Sequence, residues 1–445
     1  MPFRTCYSYA MIDTSFAHRI AMRSLLPSFG VGMAQEVKIG MLVPLSGSVQ
    51  SWGLPGYQGC QIWEDWLNRA GGLLLQGRRY PVRVLARDCG DDPDMALALA
   101  RDLVWQEQVS LLMLLGGDYV AHLRDLLNES RVLASTLLPS DLSPDTRYLI
   151  APSEVHPVYN VTGVDWVARN YPQVHRIALC SQRDGFGLPS LATYRAAFAA
   201  SGHQICKEVQ YPPDTTDVGA IVQPMLDQSP DLLCWCTSYT PMVHAMTEYA
   251  HAQGYRGTIL SCTMDQYDQL VARTSVSFME GTIFQFPDFD DPALTEKAFF
   301  FNQPHCFYAE YQERFPGSWS AVSWEYVAIL DIWHAAVEKV GALNAAAVLA
   351  AMKQMGQVDH PFGPAAWWGE DVFGISHALV GDWPVVRLED GKARIVEFGS
   401  VQGWLDQHGA LLEAEMRNLG QLWHQKLATP NVPHSLHPRV PDRAE

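Results

Sequence analysis

VKIGMLVPLSGSVQSWGLPGYQGCQIWEDWLNRAGG, residues 37–72, decides how this chain folds. It opens with VKIGMLVPL (37–45), a near-continuous apolar run that reads as a strand buried on both faces. From Tyr57 to Ala70 the residues Cys60, Trp63, Leu67 and Ala70 recur at helical spacing, and Gly71-Gly72 ends that helix. A buried strand leading into an amphipathic helix is the unit of a parallel α/β sheet. Between the two, the hinge PLSGSVQSWG holds hydroxyls, glycines and Trp52. It predicts a loop that grips a small ligand with backbone N–H groups at a helix N-terminus. The hinge has neither the Lys-bearing glycine spacing of a phosphate loop nor a strict GxGxxG. An indole suits an apolar or amphipathic ligand better than a phosphate.

The same unit repeats. YPVRVLARD (80–88), SLLMLLGGD (110–118), VLAST (132–136) and RYLIAPS (147–153) complete a first βα set. Asp92-Pro93 supplies an N-cap and a first-turn proline for a helix running to about Gln106, which explains one carboxylate of DCGDDPD without calcium. HRIALCSQ (175–182), ICKEVQY (205–211), DLLCWCTS (231–238), GTILSC (257–262) and GTIFQF (281–286) form a second set. Continuous apolar strands with helical crossovers imply parallel sheets covered on both faces, and two sets imply two doubly wound lobes. From Pro292 to Met355 the pattern is helical, and short β-like runs follow in SHALVGDWPVVRLEDGKARIVEF. Leu405, Leu412, Met416, Leu419 and Trp423 form a late apolar stripe that either docks on its own protein or makes a homodimer seam.

The bulk numbers agree with a globular, two-lobed chain: 445 residues, 48% hydrophobic and 18% charged. A formal charge of −17 speaks against nucleic acid or an anionic membrane as partner. Within the leader, HRIAMRSLLPSFGVGMAQE (18–36) carries two arginines before a short apolar stretch and Ala34, the outline of a secretory signal with a proline and glycines in its centre. Cys180, Cys206, Cys234 and Cys236 lie in strand-like runs and read as small buried hydrophobes. Scattered histidines without HExxH or CxxC pairs predict no metal.

In open α/β sheets, ligands bind beyond the carboxyl ends of the strands. That rule selects the loops SGSVQSW, GGDY (116–119), LLPSD (137–141), RDGFG (183–187), SYT (238–240) and TMDQ (263–266). They hold Trp52, Tyr119, Phe186 and Tyr239 with Asp118, Asp141, Asp184, Asp265 and Arg183, which predicts a cleft with aromatic walls and a few polar anchors. No Gly-x-Ser-x-Gly elbow, P-loop or cysteine nucleophile context is present, so the expectation is a binding protein without cofactor rather than an enzyme.

At these loops the chain resembles the type I periplasmic solute-binding proteins of ABC importers, nearest the leucine/isoleucine/valine-binding branch. The resemblance rests on PLSGSVQSWG with its helix ending NRAGG (68–72), on RDCGDDPDMALALARDLV, on GHQICKEVQYPPDTTDVGAIVQPMLDQSPDLLCWC, and on WEYVAILDIWHAAVEKVGA. It covers residues 37–400 and implies two lobes joined by crossing strands, with the solute held between them and released to membrane permease subunits. It places lobe 1 at 36–154 plus 283–363, lobe 2 at 155–282 plus 364–400, a leader at 1–35, a C-terminal helix at 401–428 and a tail at 429–445.

By the same resemblance Trp52 is a cleft tryptophan, and Asp118 and Tyr119 stand where a ligand-gripping hydroxyl residue is common. Ser140 lies near a loop that holds a ligand carboxylate. Phe186 replaces a tyrosine, Tyr239 matches an aromatic of the second lobe, and Asp265 stands by an acidic group that pairs with a ligand ammonium. GGDY lacks the serine run usual at its loop, and the ligand is left open among an amino acid, an amide and a small aromatic acid. The implied location is periplasmic. The alternative is a cytoplasmic ligand sensor on the same fold, similar to amide-responsive regulators.

Overall fold

Each apolar run named above becomes a strand in the computed structural model, which describes residues 36–428 apart from 48, 91, 154, 298, 300–302 and 355–357. The leader and tail expectations lie outside the described residues. In chain order the first strands are β1 (Val37–Val43), the hairpin β2 (Leu73–Leu75) and β3 (Arg78–Tyr80), β4 (Val82–Asp88), β5 (Leu111–Leu114), β6 (Leu133–Ser135) and β7 (Leu149–Ile150). There follow β8 (Arg176–Gln182), β9 (Gln204–Tyr211), β10 (Leu232–Trp235), β11 (Thr258–Ser261) and β12 (Ile283–Phe284). The last are β13 (Val358–His360), β14 (Gly363–Trp368), β15 (Ala378–Glu389) and β16 (Lys392–Ser400).

Two large sheets result, one per lobe, beside the small β2–β3 hairpin. The five-stranded sheet of lobe 1 runs β4-β1-β5-β6-β7 with every pair parallel. The nine-stranded sheet of lobe 2 runs β13-β14-β15-β12-β11-β10-β8-β9, with β16 also paired to β15. Its β9-to-β12 half is parallel, while β15 joins β12 antiparallel. The expected α/β fold with two parallel-sheet lobes is therefore present, with an antiparallel extension on lobe 2. The β15–β16 hairpin turns at Asp390-Gly391, both at positive φ, the pairing a tight hairpin turn demands. The lobes meet where Ala151, just past β7, bonds across to the start of β15: its N–H donates to His377 and its carbonyl accepts from Leu379, each at 2.9 Å.

The first helix corrects the reading of the opening hinge. It spans Gln50–Arg69, not Tyr57–Ala70, so Trp52 stands in its first turn rather than in a loop. Local propensity disfavours Gly53, Pro55 and Gly56 in a helix, but tertiary packing decides most helices. The glycines serve that packing. A Cβ at Gly53 or Gly59 would overlap the carbonyl of Pro44 or Ser323, and one at Gly56 would come within 2.6 Å of the Tyr326 ring. They let this helix lie against the end of β1 and against the returning helix Val322–Val340.

Asp92 caps the helix Pro93–Arg101 by accepting from the Met95 N–H at 2.8 Å. Cys180, Cys234 and Cys236 are buried thiols, whereas Cys206 is only half-buried. The late stripe docks within the chain. Helix Val401–Asn418 packs on helix Gly187–Ala200 of lobe 2, burying Leu405, Leu412 and Met416.

Replacing Gly59 by Ala drives a methyl into the Ser323 carbonyl, so it should lower unfolding free energy by about 1–3 kcal/mol. Gly409→Ala, in open space on helix Val401–Asn418, should leave stability unchanged or raised by up to about 1 kcal/mol. Urea melts of both variants test the contrast. Equal effects would mean that the close helix approach is not what the glycine provides.

Candidate functional site

The carboxyl ends of both sheets face one another, and their loops form the walls of a single cleft. Lobe 1 contributes Trp52. Its indole lies edge-on to two rings of lobe 2, Phe186 and Tyr239, with centroids 5.4 Å away in both cases. Phe186 and Tyr239 are the residues that immediately precede helices Gly187–Ala200 and Thr240–Ala252, so both rings project from helix starts at strand ends. Three of the four expected aromatics, Trp52, Phe186 and Tyr239, are brought together, but closed: Trp52 is 4% exposed.

Asp265 fastens this contact. Its carboxylate accepts from the Ala321 N–H at 2.9 Å and from the Thr240 hydroxyl at 3.3 Å, and the Trp52 side chain also bonds to it. Trp52 and Ala321 belong to lobe 1 elements, Thr240 and Asp265 to lobe 2. Burial outweighs these donors and pushes the Asp265 carboxyl up to about 6. Asp265 does not cap the following helix. Gln266 occupies that place in the left-handed region, with no capping side chain. His244 accepts from Arg273 at Nδ1 (2.6 Å) and donates from Nε2 to the Asp265 carbonyl (2.8 Å), a tautomer set by these two partners.

The other loop carboxylates also hold backbone. Asp118, exposed on lobe 1, accepts from the Gly185 N–H of lobe 2 at 3.1 Å. Asp184 accepts from Phe186 at 3.1 Å and Gly187 at 2.8 Å, and Tyr239 donates to it at 3.4 Å. Asp141 accepts from Gly117 at 3.1 Å and Thr136 at 2.8 Å. Gly116 and Gly117 sit at φ +109° and +94°, and a Cβ on Gly117 would come within 3.1 Å of Phe186. A serine run has no room there.

Two expected ligand contacts have other work. The Tyr119 hydroxyl is fully buried, accepts from Leu115 at 3.0 Å and donates to the Leu42 carbonyl at 3.2 Å, tying the ends of β5 and β1. Ser140 accepts from the ammonium of Lys426 at 3.1 Å, and the same ammonium pairs with Asp141 at 3.1 Å. Lys426 comes from helix Trp423–Ala428, which crosses to lobe 1 from the helix docked on lobe 2. The strap thus places an internal ion pair where a ligand carboxylate was expected.

Under the rings lies a cavity of about 30 Å3, lined by Trp52, Leu138, His156, Phe186, Phe286 and Glu325 among others. That is space for little more than a water, so a solute needs the lobes to part. A groove of about 380 Å3 at the mouth joins Ser51 of lobe 1 to Thr240, His244 and Arg273 of lobe 2. A third groove, of about 300 Å3, lies along edge strand β4 away from the strand-end loops. Sequence reasoning missed His156 and Glu325. Burial holds the His156 imidazole down to about 3, hence neutral, between the hydroxyls of Tyr159 and Thr237. Glu325 is a lone carboxylate inside the apolar run WEYVAIL, a signal that could have marked it.

Asp265 gives a pH test. The folded carboxyl keeps its proton to a higher pH than the ordinary 3.8, so the folded chain binds more protons between there and about 6. Its contribution to stability therefore falls as pH rises through that window. Asp265→Asn removes the titration. The stability of the variant minus that of the wild type should rise between pH 4 and 6 and level off above. A difference flat with pH would mean that the carboxyl is not buried in solution.

No curated protein matches this chain. Solved structures share its fold at low identity. A solute-binding protein of an ABC transporter from Rhodopseudomonas palustris BisB5, in complex with 3,4-dihydroxybenzoic acid, is 18% identical, with a TM-score of 0.65 over 82% of this chain and 96% of that one. A second from R. palustris, in complex with 4-hydroxybenzoate, is 19% identical, with a TM-score of 0.66 over 84% of this chain and 100% of the other. A leucine-binding protein from Thermotoga maritima MSB8 is 15% identical, with a TM-score of 0.65 over 82% and 99%. The family profile described as periplasmic binding protein matches residues 36–393, leaving the Lys426 strap outside it. Its members and these neighbours hold solutes rather than transform them. The chain belongs to the periplasmic binding protein family.

Proposed function

We propose that this protein is the extracytoplasmic solute-binding component of an ABC importer, acting in the periplasm and delivering its solute to membrane permease subunits. The solute is a small molecule with an apolar or aromatic body, taken from the classes of amino acids, amides and aromatic acids. The observation that carries this reading is the meeting of Trp52 with Phe186 and Tyr239 across the lobe boundary, over a cavity with mainly apolar walls. Rings on opposite lobes can sandwich a flat solute only when the lobes close, which is how hinge closure traps it from water. The solved neighbours holding benzoates support an aromatic body. Asp265 and Asp118, each bonded to backbone of the opposite lobe, act as latches of the closed state.

A thermal-shift screen of amino acids, amides and aromatic acids tests the reading. At least one solute should raise the melting temperature in proportion to its occupancy. Trp52→Ala should weaken its affinity at least about tenfold, since each ~1.4 kcal/mol is a factor of ten. If no solute in these classes binds, or if Trp52→Ala binds as wild type, the cleft reading fails.

A further inference from the structure

The family profile ends at residue 393, and the chain then adds an arm that spans the two lobes. Its root is fixed to lobe 2. Helix Val401–Asn418 packs on helices Gly187–Ala200 and Asn160–Asn170. Glu415 pairs with Arg195 at 3.3 Å, a guanidinium that Glu208 of β9 also holds at 2.6 Å. The elbow is built to be stiff. Gly420 turns the chain at φ +70°, and the Gln421 N–H donates back to the Met416 carbonyl at 2.8 Å, a helix ending that favours glycine at that place. Gln425 ties helix Trp423–Ala428 to this end: its side-chain amide donates to the Arg417 carbonyl at 3.0 Å and accepts from the Leu422 N–H at 3.3 Å.

The tip of the arm lands on lobe 1. The two oxygens of the Asp141 carboxylate divide their partners. Oδ1 accepts from the Lys426 ammonium, while Oδ2 accepts from the Gly117 N–H and the Thr136 hydroxyl. Gly117 in turn abuts the Phe186 ring, which covers Trp52. One carboxylate thus joins Lys426 to the loop that meets the opposite lobe. The arm is carried by lobe 2 and Asp141 by lobe 1, so parting the lobes draws the ammonium off both Asp141 and Ser140.

We infer that the C-terminal arm is a closure latch and that Lys426, from outside the family profile, is a positioning residue for solute binding. Two charge-assisted bonds made only when the lobes are together favour the closed state. The fraction of molecules able to close sets the apparent affinity, so the arm tightens binding without touching the solute. The latch itself holds whichever solute binds. Its effect on affinity rests on the solute-binding reading above.

The test is hydrogen exchange on the full chain without solute, comparing wild type with Lys426→Met. Gly185 and Ala321 are each held by a carboxylate of the opposite lobe, and the contacts of Lys426 are with neither. The segments carrying both amides should exchange at least about tenfold faster in the variant, while strand β10, inside lobe 2, should keep its rate. A general loss of stability would speed β10 as well, and would overturn the inference. So would unchanged exchange at both amides, or faster exchange at Gly185 alone, which would mean that Lys426 only props its own loop. If Lys426→Met does not fold, Gly420→Ala decides by the same readout. It strains the elbow in open space and leaves the ion pair in place, and it should speed both segments at least about twofold. No solute enters this test, so its failure would leave the solute-binding reading standing, and an empty solute screen would leave the latch standing.

Discussion

Trp52 stands on lobe 1, and the rings that cover it stand on lobe 2, so its indole leaves water only when the lobes are together. Edge-on aromatic pairs contribute roughly 0.5–1.5 kcal/mol beyond the area they bury. Two such pairs, with Asp265 bonded to Trp52, Thr240 and Ala321, concentrate much of the interlobe contact in one spot. The first helix is placed to make that possible. Its glycines let it press against the end of β1 and helix Val322–Val340, which puts Trp52 in its first turn and aims it across the cleft.

Closure also has a cost. Asp265, Asp184 and Asp141 are all buried, and burial raises each carboxyl above its usual range despite several donors. Favourable rings and unfavourable desolvation oppose one another, and a small balance between them suits a trap that must shut on a solute and open to release it. The Lys426 strap adds to the closed side. A nearly buried ammonium from the C-terminal segment pairs with a fully buried Asp141 on lobe 1, and breaking such a pair leaves an uncompensated charge.

Much of the fold was legible in the sequence because parallel strands buried on both faces read as continuous apolar runs, and these alternate plainly with helices. The start of the first helix was not, because Gly53, Pro55 and Gly56 look like loop residues until the partner helix explains them. Trp52, Phe186, Tyr239 and Asp265 were found by their position at strand ends, and the structure gathers them. Tyr119 and Ser140 stand at strand ends too, but composition does not say where a hydroxyl points, and theirs turn inward to backbone and to Lys426. Glu325 and Lys426 reach the site from distant segments; a carboxylate inside the apolar run WEYVAIL sets Glu325 apart, but nothing in the local sequence of Lys426 announces its approach.

The central claim is that the two lobes close on a solute through contacts made across the cleft. The amides of Gly185 and Ala321 report on it directly, because each is held by a carboxylate of the opposite lobe, Asp118 and Asp265. Hydrogen exchange of the segments carrying these amides, with and without a bound solute, is the most direct measurement. Both should exchange more slowly when solute is bound. Protection that solute leaves unchanged, or that appears in one lobe only, would contradict the account.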